Sequence, residues 1–505
     1  MIRNIYNTFI SLSCAVLMLT SCSDWLNLTP QDEIKKEYLF STGDGFRTAL
    51  NGIYRKMSTF DMYGSNMTWG LMDAWAQYYS DDKCPNRLSG RAMESISKLA
   101  FKHVELVSYT NSMWKAAWNV VANCNQLVQE AQNADPMIFK NYDWERQMIL
   151  GEALGLRAFV QFDLLRIYAP SPASVGFKED TRKFIPYVNE YPSYVNNHQT
   201  VSYCLEHIIK DLKEAQRILF EIDKDFDMGT RNRFQIESGS EQFKSARGYR
   251  LNYYAVTAEL ARVYLYAGKN TEALEQAKIV LKAKDDNGYF AASPYPNGFT
   301  DGNMKMYDDV IFALYSPTEL VDWDQEMNHK DKGDASEQEY YLAMQGEMTR
   351  SLFGNEIDED WRFQYQMEEK QNGEYYRTLK YSKQAESQDI GKTNNALIPM
   401  IRLSEMYYIA AEAIYDTNPD GAYYYLWWVK YGRGIELKSN PIIDKQALIE
   451  LLLNDARREF MGEGQLFYMY KRLNHSMYPK NIGDENILPT DENVVLPKPD
   501  SESII

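Results

Sequence analysis

Histidine and cysteine are scarce in this chain, with five of each among 505 residues. None of the histidines forms an HExxH pattern or another spacing that suits a bound metal ion. The sequence also lacks a G-x-S-x-G element, a phosphate-binding loop and a dinucleotide-binding fingerprint. We therefore expect no metal, no cofactor and no catalytic residues of these familiar types.

Basic residues are in the minority, because 54 Lys and Arg face 71 Asp and Glu, which gives a formal net charge of −17. An acidic surface repels both the phosphates of nucleic acid and anionic lipid head groups. We predict that the chain does not bind nucleic acid and does not dock non-specifically on a negatively charged membrane.

No apolar run is long enough to span a membrane. The longest one near the start, Phe9 to Leu19, has 11 residues, whereas a spanning helix needs about 20. With Arg3 before it, this run predicts a secretory signal over residues 1–21. The sequence Leu19-Thr20-Ser21-Cys22 resembles the lipobox of bacterial lipoproteins, whose cysteine is lipidated. The alternative is an ordinary signal with a chance cysteine at position 22.

Three cysteines remain after the signal and Cys22 are set aside: Cys84, Cys124 and Cys204. Because three is an odd number, at most one disulfide bond can form among them, and the spacing does not indicate which pair would form it. The core must therefore provide most of the stability, and a chain of this length can bury one.

Helical periodicity is clearest between Leu251 and Ala283. Leu260, Ala261 and Tyr264 share one face of a first helix, and Ala273, Ala277 and Val280 share one face of a second. Gly268 lies in the turn between them, and Thr271 is placed to cap the second helix. The pattern resembles a tetratricopeptide (TPR) helix pair. One such hairpin cannot bury both of its faces, so other pairs must stack against it.

Further helical patterns predict a mainly α fold with an irregular, loop-rich part. An aromatic-rich loop interrupts the pattern from Ser58 to Arg91. A second loop-rich region, about 284–398, is expected to form a small subdomain with short strands at Val310 to Tyr315 and Tyr376 to Tyr381.

Four separated stretches resemble the SusD-like (RagB/SusD) family of outer-membrane nutrient-uptake lipoproteins. In chain order they lie at Gly151 to Tyr168, Ile398 to Ala413, Arg458 to Arg472, and Leu496 to Pro499. Each match is weak alone, but the set spans most of the chain in the order that the family has.

The resemblance implies four TPR-like helix pairs, which map to 44–57 with 111–133, 145–168 with 201–219, 250–267 with 271–283, and 402–415 with 420–432. It implies a surface-exposed lipoprotein of the outer membrane, anchored through Cys22. Its partners would be an oligosaccharide, or another nutrient, and a TonB-dependent SusC-like transporter on which the protein sits as a lid. It implies no enzymatic activity.

The family places its ligand on loops, and two loop regions here combine aromatic with polar residues. We expect contacts from the following side chains: Trp69, Asp73, Trp75 and Tyr79 in the first region, and Tyr289, Tyr295 and Trp323 in the second. The alternative for Trp69 and Trp75 is that they pack the loop onto the helices. No motif carries any one of these residues over from the family.

Acidic clusters suggest alternatives that we weigh against structural roles. The run from Glu356 to Asp360 could supply paired catalytic carboxylates, but a solvated loop is the preferred interpretation. Asp301, Asp308 and Asp309 could help to hold calcium, although their spacing is not that of an EF-hand loop. Two other functions remain open: a TPR scaffold for outer-membrane assembly and an α-helical glycoside hydrolase.

Overall fold

The structure is a computed structural model. It describes residues 36–81, 91–194, 196–235, 243–290, 297–316, 328–330, 339–382, 389–436 and 444–503. The predicted signal peptide and Cys22 lie outside these ranges. Within them, no helix combines the length and the apolar character needed to cross a membrane.

Eight long helices form the scaffold. They overlap the eight predicted ranges, although the second begins at Val104, seven residues before the predicted start at 111. They are α1 Gly43–Met57, α2 Val104–Asn133, α3 Tyr142–Tyr168, α4 Val201–Asp223, α5 Tyr253–Tyr266, α6 Asn270–Asn287, α7 Leu403–Ile414 and α8 Pro419–Tyr431. Two more follow, α9 Lys445–Glu459 and α10 Gln465–Leu473. Each scaffold helix packs against the next one along the chain, so the pairs stack continuously, as TPR-like repeats do.

The helix starts are set by local hydrogen bonds. The Thr200 hydroxyl accepts a hydrogen bond from the backbone N–H of Tyr203, and the Asn252 side chain accepts one from that of Ala255. The predicted cap at Thr271 is wrong, because α6 begins at Asn270 and Thr271 lies inside its first turn. The reason is the preceding glycine: Gly268 has φ +73°, which reverses the chain at once, so the N-cap is Lys269, two residues before Thr271.

Helix α3 is the centre of the scaffold, since every residue from Met148 to Tyr168 is buried. Its charged side chains are therefore paired. Glu152 lies 2.6 Å from Arg247 and 3.0 Å from Arg250, and Arg157 lies 2.6 Å from Asp211. This arrangement satisfies the rule that buried charges need partners. The charged residues of this helix therefore have a structural role, as ion pairs within the scaffold.

The α5–α6 hairpin packs through small residues. Ala261, Ala273 and Ala277 are all completely buried, and so is Leu260. Helix α5 is also enclosed by α4 and α7. The small side chains of the three alanines let the helix backbones approach closely.

Short helices and strands fill the rest of the described chain. The helices are Lys36–Leu39, Leu71–Trp75, Arg91–Ser97, Thr230–Phe234, Asn297–Thr300, Gly346–Phe353, Trp361–Gln366, Asp389–Ala396 and Asp491–Val494. The strands are β1 Val310–Tyr315, β2 Asn328–Lys330, β3 Glu339–Tyr341, β4 Met344–Gln345, β5 Met367–Lys370, β6 Tyr375–Thr378 and β7 Leu397–Arg402.

The strands form three small antiparallel sheets: β1 with β7, β2 with β3, and β4-β6-β5. The prediction of a strand from Val310 to Tyr315 is confirmed. The one predicted from Tyr376 to Tyr381 is present as β6, but it ends at Thr378. These sheets belong to the loop-rich part of the chain.

A buried ionic cluster joins this irregular region to α9. Arg362 pairs with Asp360 and Asp455, and Arg433 pairs with Asp309 and Glu459. Asp360 is completely buried, so the interpretation of the 356–360 run as a solvated loop is wrong at this residue. The carboxylate is buried because the Arg362 guanidinium compensates its charge.

The cysteines Cys124 and Cys204 are both buried and free. They lie on α2 and α4 respectively. Burial raises the pKa of each thiol to about 12, which keeps both protonated and unreactive at neutral pH. Cys84 lies outside the described residues.

Candidate functional site

The first predicted loop region does not present its aromatic side chains to solvent. Trp69, Trp75 and Tyr79 have exposed fractions of 1%, 0% and 2%. The Trp75 ring packs edge-to-face on Phe101 at 5.4 Å between ring centroids, and it also contacts Phe467. A ring that is buried this completely cannot stack on a sugar. The alternative interpretation, that these tryptophans pack the loop onto the helices, describes their position.

Asp73 has a structural role as well. Its carboxylate is completely buried and accepts hydrogen bonds from the backbone N–H groups of Gly462 at 2.6 Å and Gly464 at 2.9 Å. Burial raises the pKa of Asp73 to about 8, although these two N–H groups act in the opposite direction. Asp73 therefore holds the loop between α9 and α10, and we correct its assignment as a ligand contact.

The second predicted region is only partly described. Tyr289 is half-buried, and its ring packs near Tyr254 and Phe290. Tyr295 and Trp323 lie outside the described residues, so their assignment as ligand contacts stays a prediction. The sequence-predicted residues are thus not brought together into one site by the described part of the chain.

A different feature has the size of a ligand site. A groove of about 1130 Å³ lies where the α5–α6 turn, the end of α7, the first turns of α9 and the segment after α10 meet. Small-molecule sites usually have volumes of about 300–1,000 Å³, so this groove has room for several sugar units. Its polar and aromatic lining includes Phe177, Glu412, Lys445, Gln446, Glu450, Arg472, Asn474, His475, Tyr478 and Asn486.

Glu450 is the centre of a hydrogen-bond network in this groove. Its carboxylate accepts hydrogen bonds from the Tyr478 hydroxyl and from the Gln446 side chain at 2.9 Å, and the His475 Nε2 atom lies 2.8 Å away. Partial burial alone would raise the pKa of Glu450, but these hydrogen bonds together lower it. The network fixes the orientation of three side chains that line the groove, which pre-organises them for binding.

Arg472 and Glu412 form a second fixed pair. The guanidinium donates two parallel hydrogen bonds to the carboxylate, at 2.6 and 2.7 Å. Two acids, Glu412 and Glu450, and two bases, Lys445 and Arg472, therefore line the groove. Because these charges balance, the lining favours a neutral ligand with many hydroxyl groups over a charged one.

Phe177 supplies an exposed aromatic ring at the groove, with 56% of its surface accessible. The Phe177 ring packs against the α5–α6 turn. A Cβ atom added to Gly268 would come within 2.6 Å of the Phe177 Cδ1 atom. The glycine therefore serves two purposes, since it adopts φ +73° and leaves space for the ring. An accessible aromatic face beside polar groups is the arrangement that suits the C–H face of a sugar.

A smaller cavity of about 40 Å³ adjoins the groove, and Leu265 and Arg472 line both. The hydroxyl groups of Tyr266 and Tyr468, which line the small cavity, have no hydrogen-bond partner among the described residues. A cavity of this size holds one or two water molecules but not a sugar ring. The groove, and not this small cavity, is therefore the candidate site.

Sequence reasoning missed this groove because its residues come from distant parts of the chain. Glu412 and Arg472 lie within stretches that carry the family resemblance, but nothing in their pattern indicates that they face one cavity. His475 and Tyr478 show no spacing that suggests a site. Among the described residues, no group of three or more His, Cys, Asp or Glu side chains is arranged to hold a metal ion.

Two protein-family models match this chain. A model of the SusD family matches residues 219–494, and a second model, described as starch-binding and associating with the outer membrane, matches residues 37–232. No curated protein sequence matches the chain.

Several solved structures share the fold. A SusD superfamily protein from Bacteroides thetaiotaomicron has a TM-score of 0.69 at 22% identity, over 92% of this chain and 98% of that chain. A putative sugar binding protein from Bacteroides vulgatus has a TM-score of 0.65 at 20% identity, over 92% and 96%. Surface glycan-binding protein A from Bacteroides fluxus has a TM-score of 0.60 at 15% identity, over 86% and 89%.

Proposed function

The chain belongs to the SusD family, and from this membership we propose that it is a lipid-anchored protein of the outer-membrane surface that binds oligosaccharide or a related nutrient. It then delivers this ligand to a TonB-dependent SusC-like transporter. The description of the second matching model, starch-binding and associating with the outer membrane, supports both the ligand class and the location.

The observation that carries the ligand class is the chemistry of the groove. It combines an exposed aromatic ring, amide and carboxylate groups held by hydrogen bonds, and balanced charge, within about 1130 Å³. Sugars need flat apolar contacts for their ring faces and hydrogen-bond partners for their hydroxyl groups. We therefore place a neutral oligosaccharide in this groove.

Binding without hydrolysis is the activity that the groove favours. A glycosidase needs one carboxylic acid that is protonated at working pH and a second, ionised carboxylate. Here hydrogen bonds lower the pKa of Glu450, and Glu412 accepts hydrogen bonds from the two terminal nitrogens of the Arg472 guanidinium. Incubation with polysaccharide should therefore release no reducing sugar, whereas a steady release would favour the glycoside hydrolase alternative.

The binding site is tested by calorimetric titration of purified protein with a panel of oligosaccharides that begins with those of starch. Phe177→Ala should weaken binding at least tenfold, or about 1.4 kcal/mol, because it removes the stacking face. Tyr194→Ala is the matched control, since Tyr194 is 88% exposed and does not line the groove. Equal affinity of both variants and the unaltered protein would exclude the groove as the site.

The transporter partnership is tested separately, by solubilising outer membranes in mild detergent and purifying this protein. We expect a large barrel protein to be recovered with it, because permanent complexes bury more than about 2,000 Å². Recovery of assembly factors instead would favour the TPR scaffold alternative, and repeated recovery of the protein alone would contradict delivery.

A further inference from the structure

Helix α8 exposes aromatic residues that neither the scaffold nor the groove uses. Its buried face consists of Ala422, Leu426 and Val429. At about 3.6 residues per turn, Tyr424, Trp427 and Tyr431 lie on the opposite side of the helix. Tyr424 is 52% exposed and Tyr431 47% exposed, and Trp427 is half-buried. We call these three residues the aromatic stripe.

The rings of the aromatic stripe follow one another along the helix. The centroids of Tyr424 and Trp427 are 5.7 Å apart with 36° between the ring planes, and those of Trp427 and Tyr431 are 5.2 Å apart with 37° between the planes. These separations are comparable with the length of one sugar unit in an extended glycan. At these distances and angles each ring contacts the next one, so the three side chains form one continuous aromatic surface along the helix.

Trp428 supports the stripe from one side. Its ring is nearly perpendicular to those of Tyr424 and Tyr431, at 87° and 88°, and it packs on the core. The Lys284 ammonium of α6 lies 5.0 Å from the Trp428 ring centroid. Because Trp428 is anchored in this way, it limits the movement of the exposed rings that it touches.

The dimensions of the stripe favour a narrow ligand over a protein. Tyr431 lies about 10 Å along the helix from Tyr424. Three partly exposed side chains of about 150–250 Å² each offer on the order of 200–300 Å² in total. A stable protein interface needs about 800 Å² on each partner.

The segment at the start of the helix is polar as well as exposed, since it includes Asp416, Asn418 and Asp420.

From this geometry we propose that the aromatic stripe is a second carbohydrate-binding surface, on which an extended, neutral polysaccharide chain stacks. The proposal rests on the proposed glycan-binding function and adds a place for it outside the groove. A continuous aromatic surface about 10 Å long suits the C–H faces of an extended chain, whereas the groove takes a short oligosaccharide. The stripe would hold a long chain near the protein while the groove takes a shorter one.

The test is affinity electrophoresis of the purified full-length protein in mild detergent, in native gels that contain soluble starch, xylan, β-glucan or pectin. At least one of these polysaccharides should retard the unaltered protein. The double variant Tyr424→Ala and Tyr431→Ala should weaken this retardation about two- to tenfold for each ring removed. Alanine favours the helix, and both side chains are about half exposed, so the fold should be retained.

Two further variants separate stacking from other causes. Tyr424→Phe with Tyr431→Phe keeps both flat faces and should restore the retardation, whereas Tyr194→Ala should not change it. The groove variant Phe177→Ala should lose affinity for oligosaccharides in calorimetry but keep at least part of the retardation by polysaccharide. The stripe variant should show the reverse pattern.

Each other outcome overturns the proposal in a distinguishable way. If the stripe variant binds oligosaccharide and is retarded like the unaltered protein, the stripe proposal alone is wrong. If the stripe variant keeps its retardation but loses self-association or recovery with the barrel protein, the stripe is a protein interface. If the unaltered protein binds neither oligosaccharide nor any of the four polysaccharides, the proposed function is wrong and the stripe proposal with it.

Discussion

Glu459 offers the sharpest test of how the loop-rich region is held on the scaffold. The residue is completely buried at the end of α9. Arg362 donates to its carboxylate at 3.0 Å, and Arg433 donates to both oxygens at 3.0 and 2.5 Å. The substitution Glu459→Gln keeps the size of the side chain but removes the negative charge that these two buried guanidinium groups contact and that the Arg402 guanidinium approaches to 3.9 Å.

The expected loss of stability depends on the acidic partners that Arg362 and Arg433 retain. Removing one partner of a buried ion pair typically costs about 3–5 kcal/mol, because the other charge is left uncompensated. Here Arg362 retains Asp360 and Asp455, and Arg433 retains Asp309. We therefore expect a decrease near the lower end, about 3 kcal/mol in the free energy of unfolding.

Urea denaturation followed by the fluorescence of the 10 tryptophans measures this change as a shift of the midpoint at constant slope. Asp416→Asn is the matched control. Asp416 pairs with Lys445 at 2.8 Å, with the side chains 61% and 48% exposed, so its loss should cost less than about 1 kcal/mol. Equal midpoints for the two variants would refute the reasoning.

The pH dependence provides an independent check. Burial would raise the pKa of Glu459, but the adjacent guanidinium groups, chiefly that of Arg433, lower it well below its usual range. A lowered pKa contributes stability that is complete above the unfolded-state value of about 4.3 and is lost as the pH falls through the folded-state value. The difference between the unaltered protein and Glu459→Gln should thus stay constant from neutral pH to about 5 and shrink below about 4.

Three other predictions concern the anchor, the packed loop and the scaffold. Cys22→Ser should remove the protein from the membrane fraction or block its processing; unchanged membrane association would contradict the lipid anchor. Trp75→Ala should cost about 3–5 kcal/mol in unfolding free energy, because it empties a buried site, while the folded fraction binds oligosaccharide normally; a variant that melts normally and loses binding would reverse our interpretation. Ala261→Leu should overpack the α5–α6 hairpin and cost about 1–3 kcal/mol, measurable as a lower melting temperature, and no change would contradict the close packing.

The positions of the scaffold helices could be predicted from the sequence, because periodicity and caps are local properties. Thr200 illustrates this, since its hydroxyl bonds a backbone N–H only three residues away. The buried alanines of the α5–α6 hairpin follow from the same short-range pattern. Family membership was also readable, from motifs spread along the chain in a characteristic order.

The candidate site could not be predicted, because the relevant contacts join distant residues. Trp75 and Trp427 are both tryptophans, yet their environments differ. Trp75 is completely buried, whereas Trp427 lies on the face of its helix opposite the core. Only the packing of Phe101 and Phe467 around Trp75 distinguishes them. Whether distant residues enclose a ring in this way cannot be read from its neighbours in the sequence.

The sequence by itself therefore determined the mainly α architecture, since each helix depends on hydrogen bonds and periodicity within a few residues. The tertiary structure alone decided which polar and aromatic groups share a surface. Phe177 follows α3, Glu450 belongs to α9 and Arg472 lies in the last turn of α10. They line one groove because the stacked helices bring these elements together. Burial and proximity are properties of the whole fold, so no local pattern contains them.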